Sequence, residues 1–125
     1  MNGKKLLIDS NVIIYASKGL INIDNILSSY DDFYISIITY MEVMGFDFEN
    51  EKEFTNVKKL LGYFKLINVN IELAEIVINI RKKRKIKLPD AIILATAKFI
   101  GSDLVTENIA DFKNIYLSVN LIKPI

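Results

Sequence analysis

The feature that most narrows the folds open to this chain is a series of short apolar runs separated by longer helical stretches. Leu6-Leu7-Ile8 is a continuous apolar run between Lys5 and Asp9. Further strand-like runs fall at 33–37, 66–69 and 104–105, and a fifth is expected at 115–119. A strand wetted on one face alternates apolar and polar residues, whereas an unbroken run suits a strand covered on both faces. Between the runs the spacing is helical. Phe54, Val57, Leu60, Leu61 and Phe64 recur on one side of a helix expected over 51–63. Further helices are expected from Val12 with Ser10 as cap, over 22–30, from Thr39 onward, over 73–84, and from Pro89 to Phe99 with Gly101 closing the last. Strands alternating with helices predict an α/β fold, a parallel sheet with helices on both faces.

The whole chain, 1–125, reads as a single domain, long enough to bury a core without disulfides or structural zinc. It contains neither cysteine nor histidine. This removes thiol chemistry, Ser-His and Cys-His catalysis, and most zinc sites. Hydrolytic chemistry, if present, must rest on carboxylates, lysines or hydroxyls. The N-terminus lacks a signal-peptide core, and no apolar run reaches membrane-spanning length. The expectation is a soluble, cytoplasmic protein with no membrane partner.

Formal net charge is only +1, but its distribution is uneven. Arg81, Lys82, Lys83, Arg84, Lys85 and Lys87 place six of the sixteen cations within seven residues. The remaining ten cations face fifteen anions, a net of −5. Such a ridge suits phosphate binding, and it equally suits a solvated helix end favoured by the dipole.

In parallel sheets ligands bind at the carboxyl ends of the strands. That directs attention to Asp9, directly after the first run, and to 106–111, after the fourth. Each acid there also has a structural reading. Asp9 can cap a helix, although Ser10 competes for that role. Thr39-x-x-Glu42 has the form of a capping box. Asp90 follows Pro89 where a helix dipole favours a carboxylate, and the small residues Ala91, Ala95 and Ala97 let that helix approach the sheet closely. Asn108-x-x-Asp111 can be a cap with an acid in the first turn. Together, the acids gather at element ends along one sheet edge.

Four segments carry a wider resemblance: Leu6-Leu7-Ile8-Asp9-Ser10-Asn11-Val12-Ile13, Ile37-Ile38-Thr39-Tyr40-Met41-Glu42-Val43, Ile86-Lys87-Leu88-Pro89-Asp90-Ala91-Ile92-Ile93-Leu94-Ala95-Thr96-Ala97, and Leu104-Val105-Thr106-Glu107-Asn108-Ile109-Ala110-Asp111-Phe112. In this order and spacing the chain resembles the PIN-domain family, most closely the VapC toxins of toxin–antitoxin pairs. The resemblance implies a three-layer α/β/α sandwich around a parallel sheet of four to five strands. It also implies a Mg²⁺- or Mn²⁺-dependent endoribonuclease, held inactive by a VapB-like antitoxin. Asp9, Glu42 and Asp90 then become the catalytic and metal-binding acids. The fourth place falls to Asp111, the acid of the terminal Asp-Phe pair, or to Asn108, which stands where part of the family is acidic. Ser10, Asn11 and Thr106 become supporting residues, and the ridge from Arg81 to Lys87 an RNA contact.

The chemistry agrees with the residue types. Mg²⁺ and Mn²⁺ prefer oxygen ligands, and a cation relieves the repulsion that clustered carboxylates otherwise suffer. Asn108 keeps an alternative in view, a non-catalytic PIN-like module that binds RNA or a protein. A homodimer is expected as well, because Phe46, Phe48, Phe54, Leu61 and Phe64 exceed what a small monomer readily buries.

Overall fold

The computed structural model describes residues 3–113, 115 and 118–124. Five parallel strands form one sheet in the order β3-β2-β1-β4-β5. They are β1 (Lys5–Ile8), β2 (Asp32–Ser36), β3 (Lys65–Ile67), β4 (Asp103–Val105) and β5 (Leu121–Ile122). The helices among the described residues are α1 (Ser10–Ser17), α2 (Ile23–Leu27), α3 (Ile37–Met44), α4 (Glu51–Leu61), α5 (Ile71–Lys83), α6 (Leu88–Ile100) and α7 (Ile109–Phe112).

The unbroken apolar character of β1 is explained by its place at the centre. Leu6, Leu7 and Ile8 are fully buried. Because side chains alternate across a strand, Leu7 joins one core while Leu6 and Ile8 join the other. The Leu7 core contains Leu104 with Leu73, Val77 and Ile80 of α5 and Ala91, Leu94 and Ala95 of α6. The opposite core contains Val105 and Ile35 with Val12 and Ile13 of α1, Val43 of α3 and Val57 of α4. The expected three-layer α/β/α sandwich is therefore present, with a parallel sheet of five strands. No helix among the described residues is long and apolar enough to cross a membrane.

Several boundaries differ from expectation. Helix α1 begins at Ser10, not near Val12, and its N-cap is Asp9, whose side chain accepts from the Ser10 N–H. Ser10 is thus the first helical residue and not the cap. Helix α2 is shorter than 22–30, with the Asn22 side chain accepting from the Asp24 N–H at its start. Helix α3 begins at Ile37 because the Ser36 hydroxyl, at the end of β2, accepts from the Ile38 N–H and caps it before Thr39 is reached. Thr39 lies inside the helix and fully buried, so its capping box with Glu42 does not form. Helix α5 starts at Ile71, two residues before expectation, where Asn70 caps it by accepting from the Leu73 N–H.

The strand expected over 115–119 is not where the sheet ends. Residues 116 and 117 lie outside the described residues, Ile115 and Ser118 sit in turns, and β5 follows at Leu121–Ile122, pairing with Leu104 and Val105. Of the five apolar residues expected to exceed the core, Phe48, Leu61 and Phe64 pack against the core below α4, and Phe54 is half-buried. Phe46 remains exposed.

Gly101 closes α6 at φ +69, in the left-handed region that glycine enters without steric cost. No other atom would crowd an added Cβ there, so backbone strain is the main penalty. Gly101→Ala is expected to lower folding stability by about 1–2 kcal/mol, read as a lower urea midpoint with an unchanged slope.

Candidate active site

Helices α1 and α3 start directly where β1 and β2 end, so both open at the carboxyl edge of the sheet. Asp9 occupies the junction of β1 and α1, 5 % exposed. One carboxylate oxygen accepts from the Ser10 N–H at 2.8 Å. The other accepts from the Thr106 hydroxyl at 2.7 Å, across 97 residues of sequence from the end of β4. The Thr106 oxygen in turn accepts from the Asn108 N–H at 2.9 Å, tying the loop before α7 to the same point. Asp9 therefore serves as helix cap and as the hub of the site at once.

Glu42, in the last turn of α3, is exposed. With no capping box to occupy it, it accepts from the Ser10 hydroxyl at 3.0 Å. Asp90 lies half-buried in the first turn of α6. Lys87 precedes that helix without capping it by side chain. Asp111 is exposed on α7 and lines a cleft of about 160 Å³ with Asp90, Lys85 and Lys87. Asn108 stands before α7, but its side chain makes no cap bond. Asn11 is half-buried in the first turn of α1. Of the basic ridge, Lys85 and Lys87 reach the acidic cleft, whereas Arg81, Lys82 and Arg84 line a separate groove with Lys85 beside α5.

The acids burden one another. Burial raises the Asp9 carboxyl above its ordinary range, against the lowering effect of hydrogen bonds from Thr106 and Ser10. Burial also raises Glu42, and the Asp9 and Asp90 charges add to it, while the Ser10 bond opposes. Asp90 is raised by burial and then by Asp9 and Asp111, with Lys87 as the opposing charge. Three carboxyl groups from three elements are thus felt together at one sheet edge.

An all-oxygen, mutually repelling donor set is chemically suited to a hard divalent cation. Among the described residues, however, no group of three carboxylates forms a ready-made metal site. Each Asp9 oxygen accepts one hydrogen bond and Glu42 accepts one on a single oxygen, which leaves lone pairs for a cation; placing three acids on one ion requires their side chains to draw closer. What the sequence did not show is the Ser10–Glu42 bond, because Thr39 offered Glu42 a nearer partner along the chain.

Comparison with known proteins bears on this arrangement. Residues 6–116 match the model of the PIN domain, and the chain belongs to the PIN-domain family. It is similar to a chain of a toxin–antitoxin complex from Klebsiella pneumoniae, at 33 % identity over 96 % of this chain and 98 % of that one, with a TM-score of 0.77. Two more distant structures share the fold. DNA-bound VapBC from Salmonella typhimurium is 21 % identical, covers 98 % of this chain and 99 % of that one, and has a TM-score of 0.78. VapBC2 from Rickettsia felis, bound to a DNA fragment from the promoter, is 20 % identical over 95 % and 98 %, with a TM-score of 0.78. Comparison with curated proteins gives no match.

The raised proton affinity of Asp90 carries a sign. A carboxyl whose folded pKa lies above its unfolded value contributes stability below that unfolded value and loses it as pH rises through the folded one. Ionised Asp90 therefore costs stability at neutral pH. In metal-free buffer Asp90→Asn is expected to raise the thermal midpoint at pH 7, with the gain disappearing below the ordinary carboxyl value of 3.8. A midpoint at pH 7 unchanged or lowered by the substitution would count against the electrostatic cluster.

Proposed function

We propose that this protein is a divalent-metal-dependent endoribonuclease acting as the VapC-type toxin of a toxin–antitoxin pair. The observation that carries the reading is the convergence of acids from separate elements at the carboxyl edge of a parallel sheet: Asp9 bonded to Ser10 and Thr106, Glu42 bonded to Ser10, and Asp90 near enough for its charge to raise Glu42. The family and the Klebsiella pneumoniae relative support the toxin assignment. In this reading the chain binds a VapB-like antitoxin and forms a homodimer.

Asp9, Glu42 and Asp90 would hold Mg²⁺ or Mn²⁺, with Asp111 joining directly or through water. When bound, the cation supplies a water acidified enough to attack a phosphodiester and neutralises charge on that group. The chain provides the rest. The Thr106 hydroxyl and the Ser10 N–H fix the Asp9 carboxylate in place. The Ser10 hydroxyl keeps Glu42 on the same side of α1. Lys85 and Lys87, on the cleft that holds Asp90 and Asp111, offer cations to the phosphates flanking the cut. Base choice then depends on the shape of the RNA and on unpaired bases, because phosphate contacts read no sequence.

Cleavage of a structured RNA is expected with Mn²⁺ or Mg²⁺, to stop with chelator, and to be lost in Asp9→Asn and Asp90→Asn. If the wild-type chain binds RNA but leaves it uncut in either metal, the non-catalytic binding module becomes the better reading.

The two lysines give a second test. In the Asp9→Asn background, Lys85→Ala with Lys87→Ala should weaken binding to all RNAs alike. It should also flatten the dependence of log K on log salt by roughly one to two units, about 0.7–0.9 for each phosphate left without its lysine. An unchanged slope would mean that RNA is held elsewhere.

A further inference from the structure

Thr39 and Glu42 have the spacing of a capping box, yet Ser36 caps α3 in their place. What remains of the motif is a hydroxyl without a use. Thr39 is fully buried, and its side-chain oxygen has no hydrogen-bond partner. Such orphans are uncommon, because a hydroxyl taken from water and left unpaired costs stability. A buried threonine in a helix can escape by donating to the carbonyl four residues back. Thr96 does so in α6, donating to the Ile92 carbonyl at 2.7 Å. Thr39 lacks that way out. Four residues back lies Ile35, which belongs to β2 and precedes the helix.

The orphan lies beside the acids. In the β1–β2 pair Leu7 stands level with Tyr34. Two residues further on, Asp9 and Ser36 are therefore neighbours, and the first turns of α1 and α3 rise side by side. Residues three apart share a helix face, and helical side chains lean back toward the start of their helix. Glu42 thus reaches over the turn that holds Thr39. Of its two oxygens only Oε1 is hydrogen-bonded among the described residues, by the Ser10 hydroxyl at 3.0 Å. Asp9, by contrast, already has a donor on each oxygen.

We propose that Thr39 is a positioning residue: when the acids draw together on Mg²⁺ or Mn²⁺, its hydroxyl donates to the second oxygen of Glu42. This inference rests on the cation site proposed above and adds a residue to it. Glu42 is then held by one hydroxyl on each oxygen, Ser10 from α1 and Thr39 from its own helix, and both oxygens keep a lone pair for the cation. Hydrogen bonds that orient a ligating carboxylate raise metal affinity. Solvent offers Thr39 no substitute, because its oxygen is sealed from water. The unpaired hydroxyl is a burden on the metal-free protein that loading relieves.

The test is Thr39→Val, which keeps the shape of the side chain and removes the hydroxyl. The metal-free and loaded proteins should respond in opposite directions. In metal-free buffer the variant should unfold at the wild-type temperature or above it, since an unsatisfied group is gone. In a calorimetric titration with Mn²⁺ its affinity should fall about tenfold or more. Thr39→Ser, which retains the hydroxyl, should bind Mn²⁺ as wild type does. A lowered thermal midpoint for Thr39→Val without metal would mean that the hydroxyl already has a partner, and would overturn the inference. Unchanged Mn²⁺ affinity in Thr39→Val, or an equal loss in Thr39→Ser, would overturn it as well while leaving the cation site standing. A wild-type chain that binds no Mn²⁺ would overturn the cation site and this inference with it.

Discussion

Strand β1 has no exposed face and no free edge, and most of the molecule is arranged to keep it so. Leu6 and Ile8 face one core and Leu7 the other, while β2 and β4 occupy its two edges. A parallel strand in this position needs helices above and below and crossovers on both sides. The same constraint places the chemistry. At the carboxyl end of β1 the backbone must leave the core, and the residue there is Asp9, with helices α1 and α3 and the end of β4 around it.

That position costs stability. Desolvation is the leading cause of the raised proton affinity of Asp9, Glu42 and Asp90, and neighbouring carboxylates add to it at Glu42 and Asp90. The fold supplies partial compensation. Helices α1 and α3 open at this edge and α6 opens at Asp90, so positive dipole ends face the carboxylates. Lys87 adds one full charge. Direct bonds from Ser10 and Thr106 fix the acids without neutralising them.

Much of this is legible in the sequence because it follows from local pattern. The apolar runs locate four of the five strands, Pro89 and Gly101 bracket α6, and the end of the first run points to Asp9. What local pattern misses depends on which of two neighbouring hydroxyls caps a helix. Ser36 and Thr39 are both competent N-caps, and the choice is made by where β2 stops. Once Ser36 caps α3, Glu42 is released to Ser10, a contact between residues 32 apart that no local rule anticipates. The fifth strand also differs from its expected place: the Asn120 carbonyl accepts from the Leu104 N–H, and β5 pairs with β4 at Leu121 and Ile122.

The bond between Thr106 and Asp9 joins the first tenth of the chain to the last sixth. During synthesis Asp9 is made 97 residues before the hydroxyl that holds it. Asp90 arrives late as well, and Asp111 later still. A ribosome-bound fragment, however long, therefore lacks the assembled carboxylate edge until residues 103–111 are free to dock. The order of strands in the sheet thus sets an order of assembly: the carboxylate edge is completed only after β4 has docked beside β1.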